Sequence, residues 1–394
     1  MPQSEPRNDD RKVAARKVID GAREQLVDLS HRLHDNPELA FEEVRSSERV
    51  ADVLAGRGLD VEMGICDLAT AFVARAGQGP LHIGICAEYD ALPDIGHACG
   101  HNVIAAAAVG AGLALAELAD ELGIRVSVFG TPAEEGGGGK ILMLQRGAFD
   151  GVHAAMMVHP SPVEQDSMRC LAVSHLDVHY HGKAAHASAY PEQGINAADA
   201  ITIAQTAVGL LRQHIRPTER IHGIVTKGGE APNIVPSHTS SKWYIRAKTV
   251  TELEELEPRV HRCFEAGATA TGCTMDIAPQ SPVYSEMVAD AELVRLYRRN
   301  AEELGRIFPN IPVDQQERHA GSTDMANVSL AIPTIHPMLG LNSLPAVNHQ
   351  PEFAAYCITP VADRAVTDGA TAMAWTAIDA AVDGRVKERL LVKQ

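Results

Sequence analysis

Apolar residues recur at helical spacing from Ala22 to Leu33, and a second helical pattern covers Glu43 to Arg57 after the Asn36-Pro37 break. Short apolar runs follow at Leu81 to Cys86, Arg125 to Phe129 and Ala154 to Val158, with helical segments at Val103 to Leu122 and Ile141 to Arg146 between them. This alternation predicts an α/β domain built on a central, mostly parallel sheet. The pattern changes after Cys170. Leu171 to His181 alternates as a strand, Gly194 to His214 reads as a helix, Ile221 to Thr226 and Ser240 to Lys248 read as strands, and a further helix lies near Val250 to Ala268. Strand, helix, two strands and helix over this span predict a separate two-layer α+β domain, residues 171–283, inserted into a first domain made of residues 1–170 and 284–394.

At 394 residues the chain is long enough for two cores. Its seven cysteines are odd in number, scattered and without a CxxC pair, which fits a reducing, cytoplasmic setting better than a disulfide framework. A formal charge of -16 with few basic clusters argues against nucleic acid as a partner, because that affinity rests on Lys and Arg neutralising phosphates. Met1 to Lys17 lacks the apolar core of a secretory signal. The most apolar stretch, Val103 to Leu118, is Ala- and Gly-rich, falls short of the roughly 20 residues of a bilayer span, and is expected as a buried helix, so no membrane partner is expected.

Chemistry concentrates where the three runs of the α/β domain end. The first is followed by Glu88-Tyr89-Asp90 and His97-Ala98-Cys99-Gly100-His101, the second by Pro132-Ala133-Glu134-Glu135, the third by His159-Pro160. Loops beyond the carboxyl ends of such strands converge in space. A thiolate, imidazoles and carboxylates together suit a borderline-soft ion such as zinc, and a sulfur can bridge two ions. Of two adjacent glutamates, one can ligate while the other handles a water proton; spacing does not say which is which, nor whether Cys99 is ligand or nucleophile. Glycines 136 to 139 are expected to let the backbone pass close to the ions. Gly136 to Lys140 mimics a phosphate loop, but Ile141 stands where a magnesium-binding hydroxyl belongs and the earlier glycine is missing.

The ordered set Asp90-Ala91-Leu92-Pro93, His97 to His101, Pro132 to Gly136, Gly182-Lys183-Ala184-Ala185-His186-Ala187 and Ala231-Pro232-Asn233-Ile234-Val235-Pro236 resembles the di-metal aminoacylase and carboxypeptidase family of amidohydrolases, over nearly the whole chain. The resemblance implies two divalent metal ions per subunit, zinc first, with manganese, cobalt or nickel as alternatives. It implies Cys99 as the bridging ligand, His101 and His159 on one ion, Glu135 and His349 on the other, and Glu134 as the base that activates the metal-bound water. His349 carries no signal of its own in the sequence. By the same resemblance the inserted domain is a lid that also forms a homodimer, His186 stabilises the oxyanion, and Asn233 and Arg246 bind polar groups of the substrate. Cys86-Ala87-Glu88 before Tyr89, and Asn102 after His101, are departures from many relatives. With Gly321 to Met325 downstream, they place the chain nearer p-aminobenzoyl-glutamate hydrolases and β-alanyl-lysine type dipeptidases. The expected reaction is hydrolysis of an amide in a dipeptide, an N-acyl amino acid or a p-aminobenzoyl-glutamate-like substrate. The alternatives are a non-catalytic metal- or ligand-binding relative and a hydrolase of a non-peptide C–N bond.

Overall fold

The computed structural model describes residues 8–310 and 321–392. The chain divides into two compact units, one made of Met1–Arg169 with Met287–Gln394 and one of Cys170–Glu286. In the first unit the chain runs through helices α1 (Asn8–Asp35) and α2 (Val44–Ala55) and strands β1 (Asp60–Met63), β2 (Phe72–Ala76) and β3 (Leu81–Glu88). Then come α3 (His101–Leu122), β4 (Ile124–Thr131), α4 (Gly139–Gln145), β5 (Ala154–Met156) and β6 (His159–Ser161). The second unit holds β7 (Ala172–His181), α5 (Ala197–Leu211), β8 (Arg220–Lys227), β9 (His238–Ala247), α6 (Val250–Thr271) and β10 (Thr274–Pro279). Back in the first unit follow α7 (Ala291–Glu303), α8 (Met325–Ala331), β11 (Thr334–Ile335), β12 (Met338–Gly340), α9 (Pro351–Tyr356), α10 (Pro360–Val382) and α11 (Gly384–Val392).

The main sheet of the first unit has the order β1-β2-β4-β3-β5-β11. The pairings β3 with β4, β3 with β5 and β5 with β11 are parallel, while β1 and β2 join antiparallel at the edge. The fold is thus α/β around a mostly parallel sheet. All eight residues of β3 are buried, as a strand covered on both faces requires. On one face α1, α3 and α10 pack through Leu26, Leu33, Val103, Leu115, Val366 and Met373; on the other, Phe129, Met143, Phe149, Met157 and Val328 form a smaller core.

Three sequence expectations need correction. Helix α3 spans 22 residues and, by length and composition, is long and apolar enough to cross a membrane; 89% of its most apolar window is nevertheless buried inside the protein, because it is the central core helix. The third apolar run stops at Met156, and His159 opens β6, which pairs in parallel with β12 as a separate two-stranded sheet. Helix α1 also begins earlier than its apolar pattern announces, since the positions it buries toward its start include Lys12 and Ala15.

The second unit is a four-stranded antiparallel sheet, β10-β7-β9-β8, with α5 and α6 on one face. Alternation in β7 and β9 puts Leu176, Val178, Tyr180, Trp243 and Ile245 against the helices. His175, His179, Tyr244 and Arg246 fall on the opposite pleat.

Candidate metal centre

Cys99 and His101 stand at the start of α3, where Gly100 holds a left-handed φ of 84°. A Cβ at Gly100 would lie 2.7 Å from Pro160 Cγ, so only glycine lets this turn close onto the segment that carries His159. Glu134 and Glu135 sit in the turn after β4. Ala133 before them has a φ of 57°, and its N–H donates to the buried Glu43 carboxylate at 2.8 Å. The glycines after this pair pack against protein: a Cβ at Gly139 would meet Pro132 O at 1.8 Å, and one at Gly137 would strike the Phe41 ring.

The five ligand candidates form two groups that share one thiol. Cys99, His101 and His159 make the first, Cys99, Glu135 and His349 the second, the ligand atoms of each lying within 4.8 Å of one another. Cys99 Sγ is 3.4 Å from both His159 Nε2 and His349 Nε2, and His349 Nε2 is 3.6 Å from Glu135 Oε2. Bond lengths of about 2.0–2.3 Å at a tetrahedral ion put neighbouring ligand atoms about 3.3–3.6 Å apart, so these spacings suit shared ions. His101 Nε2 and Glu135 Oε1 are buried without a hydrogen-bond partner, which is what atoms reserved for an ion should show.

Two of the three imidazoles, those of His101 and His159, are turned by their other nitrogen. Asp90 Oδ1 lies 2.9 Å from His101 Nδ1 while Asp90 Oδ2 accepts the Glu135 N–H at 2.9 Å, so one carboxylate orients a residue of each group. His159 Nδ1 donates to Pro160 O at 2.8 Å, leaving Nε2 to face the thiol. Burial, then His336, pushes His159 down to about 3, so it is a neutral donor at any ordinary pH. Burial and the facing Glu135 carboxylate push the Cys99 thiol well above its usual range. A thiol so disfavoured as thiolate is a poor nucleophile without a cation beside it, and ligation is the reading that geometry supports.

Glu134 is buried beside the first group, its Oε2 3.8 Å from His101 Nε2. Burial, then the charges of Glu88, Glu135 and Asp324, raises it well above an ordinary carboxylate. Glu88, Asp90, Glu134, Glu135 and Asp324 gather here with Lys140 as the single lysine among them. Such an excess of buried negative charge calls for added cations, and the residues present fit two divalent ions.

His186, Asn233 and Arg246 all lie in the second unit. The Ala187 N–H donates to Asn233 O at 3.0 Å, and His186 bridges to Ile234, so the first two are neighbours. Asn233 is exposed. Arg246 is part-buried, its guanidinium 5.8 Å over the Tyr244 ring, with Nε donating to His222 Nε2 at 3.3 Å. Sequence reasoning singled out neither Lys140 nor Asp324 as part of the centre, and gave Asp90 and Glu88 no role. Glu88 and Asp90 stood in a strand-end segment where chemistry was expected, and the burial of all of β3 adds to that signal for Glu88.

Two metal-binding groups sharing a thiol, at the carboxyl ends of a parallel sheet with a buried carboxylate alongside, define a metallohydrolase. Residues 84–366 match the family described as Peptidase family M20/M25/M40. The chain is 39% identical over 386 residues to the Xaa-Arg dipeptidase of Mus musculus, covering 93% of this chain and 88% of that one. It is 33% identical over 280 residues to a p-aminobenzoyl-glutamate hydrolase subunit of Escherichia coli K12, covering 66% of this chain and 58% of that one. It shares the fold of a Bacillus subtilis protein described as a dinuclear metal-binding peptidase from the M20 family, with a TM-score of 0.67 at 20% identity over 91% of this chain and 98% of that one. The chain belongs to peptidase family M20/M25/M40, and it is a metal-dependent amidohydrolase.

Proposed function

We propose that the chain cleaves the amide bond of a dipeptide, an N-acyl amino acid or a p-aminobenzoyl-glutamate-like substrate, with Cys99, His101, His159, Glu135 and His349 holding two ions and Glu134 as base and acid. The observation that carries this is the buried Glu134 carboxylate next to two ligand groups that share Cys99. Ions bound there supply Lewis acidity toward the substrate carbonyl and the water. Glu134 takes a proton from the attacking water as its oxygen bonds the carbonyl carbon. The C–N bond then breaks while Glu134 passes that proton to the leaving nitrogen.

In the second unit, His186 Nδ1 accepts the Ala189 N–H at 3.2 Å, which leaves the proton of the neutral ring on Nε2. That tautomer is a donor suited to an oxyanion. Arg246, held beside Tyr244 and His222, offers a planar fork to a substrate carboxylate, and Asn233 offers an amide. Zinc is the favoured ion because thiolate, imidazole and carboxylate ligands together suit it, with manganese, cobalt or nickel as alternatives. Assembly as a homodimer through the second unit is supported by its edge strand β8, where Ile224 is 64% exposed and Val225 40%. A mass measurement in solution tests it, and a monomer would sink it. Seven scattered cysteines, none of them in a disulfide among the described residues, favour a cytoplasmic location.

The deciding experiment is metal analysis with a hydrolysis screen over dipeptides ending in arginine or lysine, N-acyl amino acids and p-aminobenzoyl-glutamate. A metal-replete protein silent on every amide would point to a binding relative or to non-peptide C–N hydrolysis. Glu134→Gln should keep its metal and lose at least about 100-fold in turnover. Retention of more than a few per cent of wild-type activity would remove Glu134 from the mechanism.

A further inference from the structure

The open pleat of the second unit's sheet carries a cluster of rings of which the reaction above uses only the neighbouring Arg246. His175 of β7 and His222 of β8 are the two cross-strand partners of Tyr244 in β9, so all three side chains share one face with Arg246, two residues further along the same strand. The His175 and Tyr244 ring centroids are 4.0 Å apart and those of His222 and Tyr244 5.5 Å, while His175 Nδ1 is fixed 2.9 Å from Ser281 Oγ. Directly opposite Arg246 on β8 stands Arg220, whose guanidinium turns aside to donate to Pro217 O and Glu219 O. Like charges at opposed positions destabilise a sheet, so a second arginine at this register calls for a purpose other than stability.

The surroundings of Arg246 supply one. Its guanidinium lies 5.8 Å from the Tyr244 ring centroid, and its Nε donates to His222 Nε2 at 3.3 Å. A ring nitrogen that accepts carries no proton, so His222 is neutral with its proton on Nδ1. Burial, then Arg246, lowers the pKa of His222, and burial, then Arg246, pushes that of His175 down to about 4, so both rings stay uncharged beside the guanidinium at neutral pH. The kind of acceptor matters. A carboxylate in the place of His222 would cancel the charge of Arg246, whereas an imidazole fixes the guanidinium plane and leaves the charge intact. With Nε engaged, a carboxylate can be received bidentately only along the Nη1–Nη2 edge.

We propose that His222 is a positioning residue for substrate recognition: by holding Nε of Arg246 it sets the Nη1–Nη2 edge of the guanidinium as the edge that receives the free carboxylate of the substrate. The inference rests on the reading of Arg246 as a carboxylate-binding residue. His222 is itself exposed, so its replacement leaves the core of the second unit intact.

The test is steady-state kinetics on a dipeptide ending in arginine and on the same dipeptide with its carboxylate capped as the primary amide. His222→Ala should raise KM for the free acid by about 10-fold, keep kcat within about threefold, and change KM for the capped compound by less than about twofold. His222→Gln, whose amide oxygen can accept from Nε, should bring KM for the free acid back to within about threefold of wild type. Equal changes in KM on both compounds, or none, would overturn the proposal. Arg246→Ala assayed alongside separates the two readings: an unchanged KM for the free acid there removes Arg246 from carboxylate binding, whereas a KM raised by Arg246→Ala and not by His222→Ala removes His222 alone. The anchor is also read without turnover, from the Nε–H resonance of Arg246 in protein carrying isotope-labelled arginine, assigned by its absence in Arg246→Lys. That proton should exchange slowly with water in the wild type and in His222→Gln and be lost to exchange in His222→Ala. Equal protection in His222→Ala would refute the anchor whether or not either dipeptide is cleaved.

Discussion

His349 and Ala133 both hold left-handed backbone without being glycine, with φ of 67° and 57°. Each conformation costs on the order of 1 kcal/mol and persists because a hydrogen bond pins it, His349 N–H to Ala98 O at 2.9 Å and Ala133 N–H to Glu43. Strain at these two positions aims one ligand and the turn that carries the glutamate pair. Gly100 carries the opposite constraint. Gly100→Ala should lower stability by at least about 1 kcal/mol through both its left-handed φ and the clash with Pro160, and should weaken zinc binding measured by competition with a chelator. Unchanged binding would mean that the turn can shift without moving Cys99. Away from the centre, His82 places Nδ1 3.1 Å from Gly151 O and Nε2 2.8 Å from Ser127 Oγ, and burial, then Arg125, pushes it down to about 4. Its folded value lies below the ordinary 6.5, so the unfolded chain binds the proton first. Its contribution is complete above about pH 6.5 and is lost as pH falls toward 4, on the order of 2 kcal/mol by pH 5. Denaturant melts of wild type and His82→Gln at about pH 7 and about pH 5 should show the smaller loss in the variant. Equal losses would exclude His82 as the source.

At the scale of elements, α1 is tied to α7 and α10 by a buried polar knot as well as by apolar packing. Lys12 Nζ lies 2.9 Å from Asp379 Oδ2 and donates to Asn300 Oδ1 at 2.7 Å, while the Trp375 indole donates to Lys12 O at 2.8 Å. Asp379 is further held by Arg299, Asn8 and Asn300, at 2.8, 2.8 and 2.9 Å. The two ends of the pair are therefore unequal. Asp379→Ala strands a buried ammonium and should cost about 3–5 kcal/mol, whereas Lys12→Met leaves Asp379 with its other partners and should cost about 1–2 kcal/mol. Denaturant unfolding of both variants checks the order, and a larger loss in Lys12→Met would refute this account of the knot.

For the whole molecule, the decisive fact is that every ligand candidate belongs to the first of the two units. Zinc binding should therefore slow hydrogen exchange around residues 96–101, 131–140, 156–161 and 346–350, and leave the strands of the second unit unchanged. Protection confined to residues 172–279 would contradict the ligand assignment.

Strands β3, β4 and β5 were legible in the sequence as short, largely apolar runs, whereas β6, which carries His159, was not separated from the third run; α3 was legible because its alanine-rich stretch is apolar nearly all round. The edge strands β1 and β10 were not, since Asp60–Met63 and Thr274–Pro279 mix exposed and part-buried positions and depend on their neighbours for pairing. Residue types at strand ends were enough to assemble four ligand candidates, and family resemblance added His349. Sequence alone therefore determined an α/β scaffold with a soft, anionic ligand set at its strand ends. Tertiary structure decided that Cys99 stands between two groups, that Asp90 serves a residue of each, and that Lys140, dismissed as part of a false phosphate loop, meets Asp324, 184 positions away in the chain. A charge balance of that kind is a property of desolvated groups brought within a few ångströms, and no local pattern along the chain encodes it.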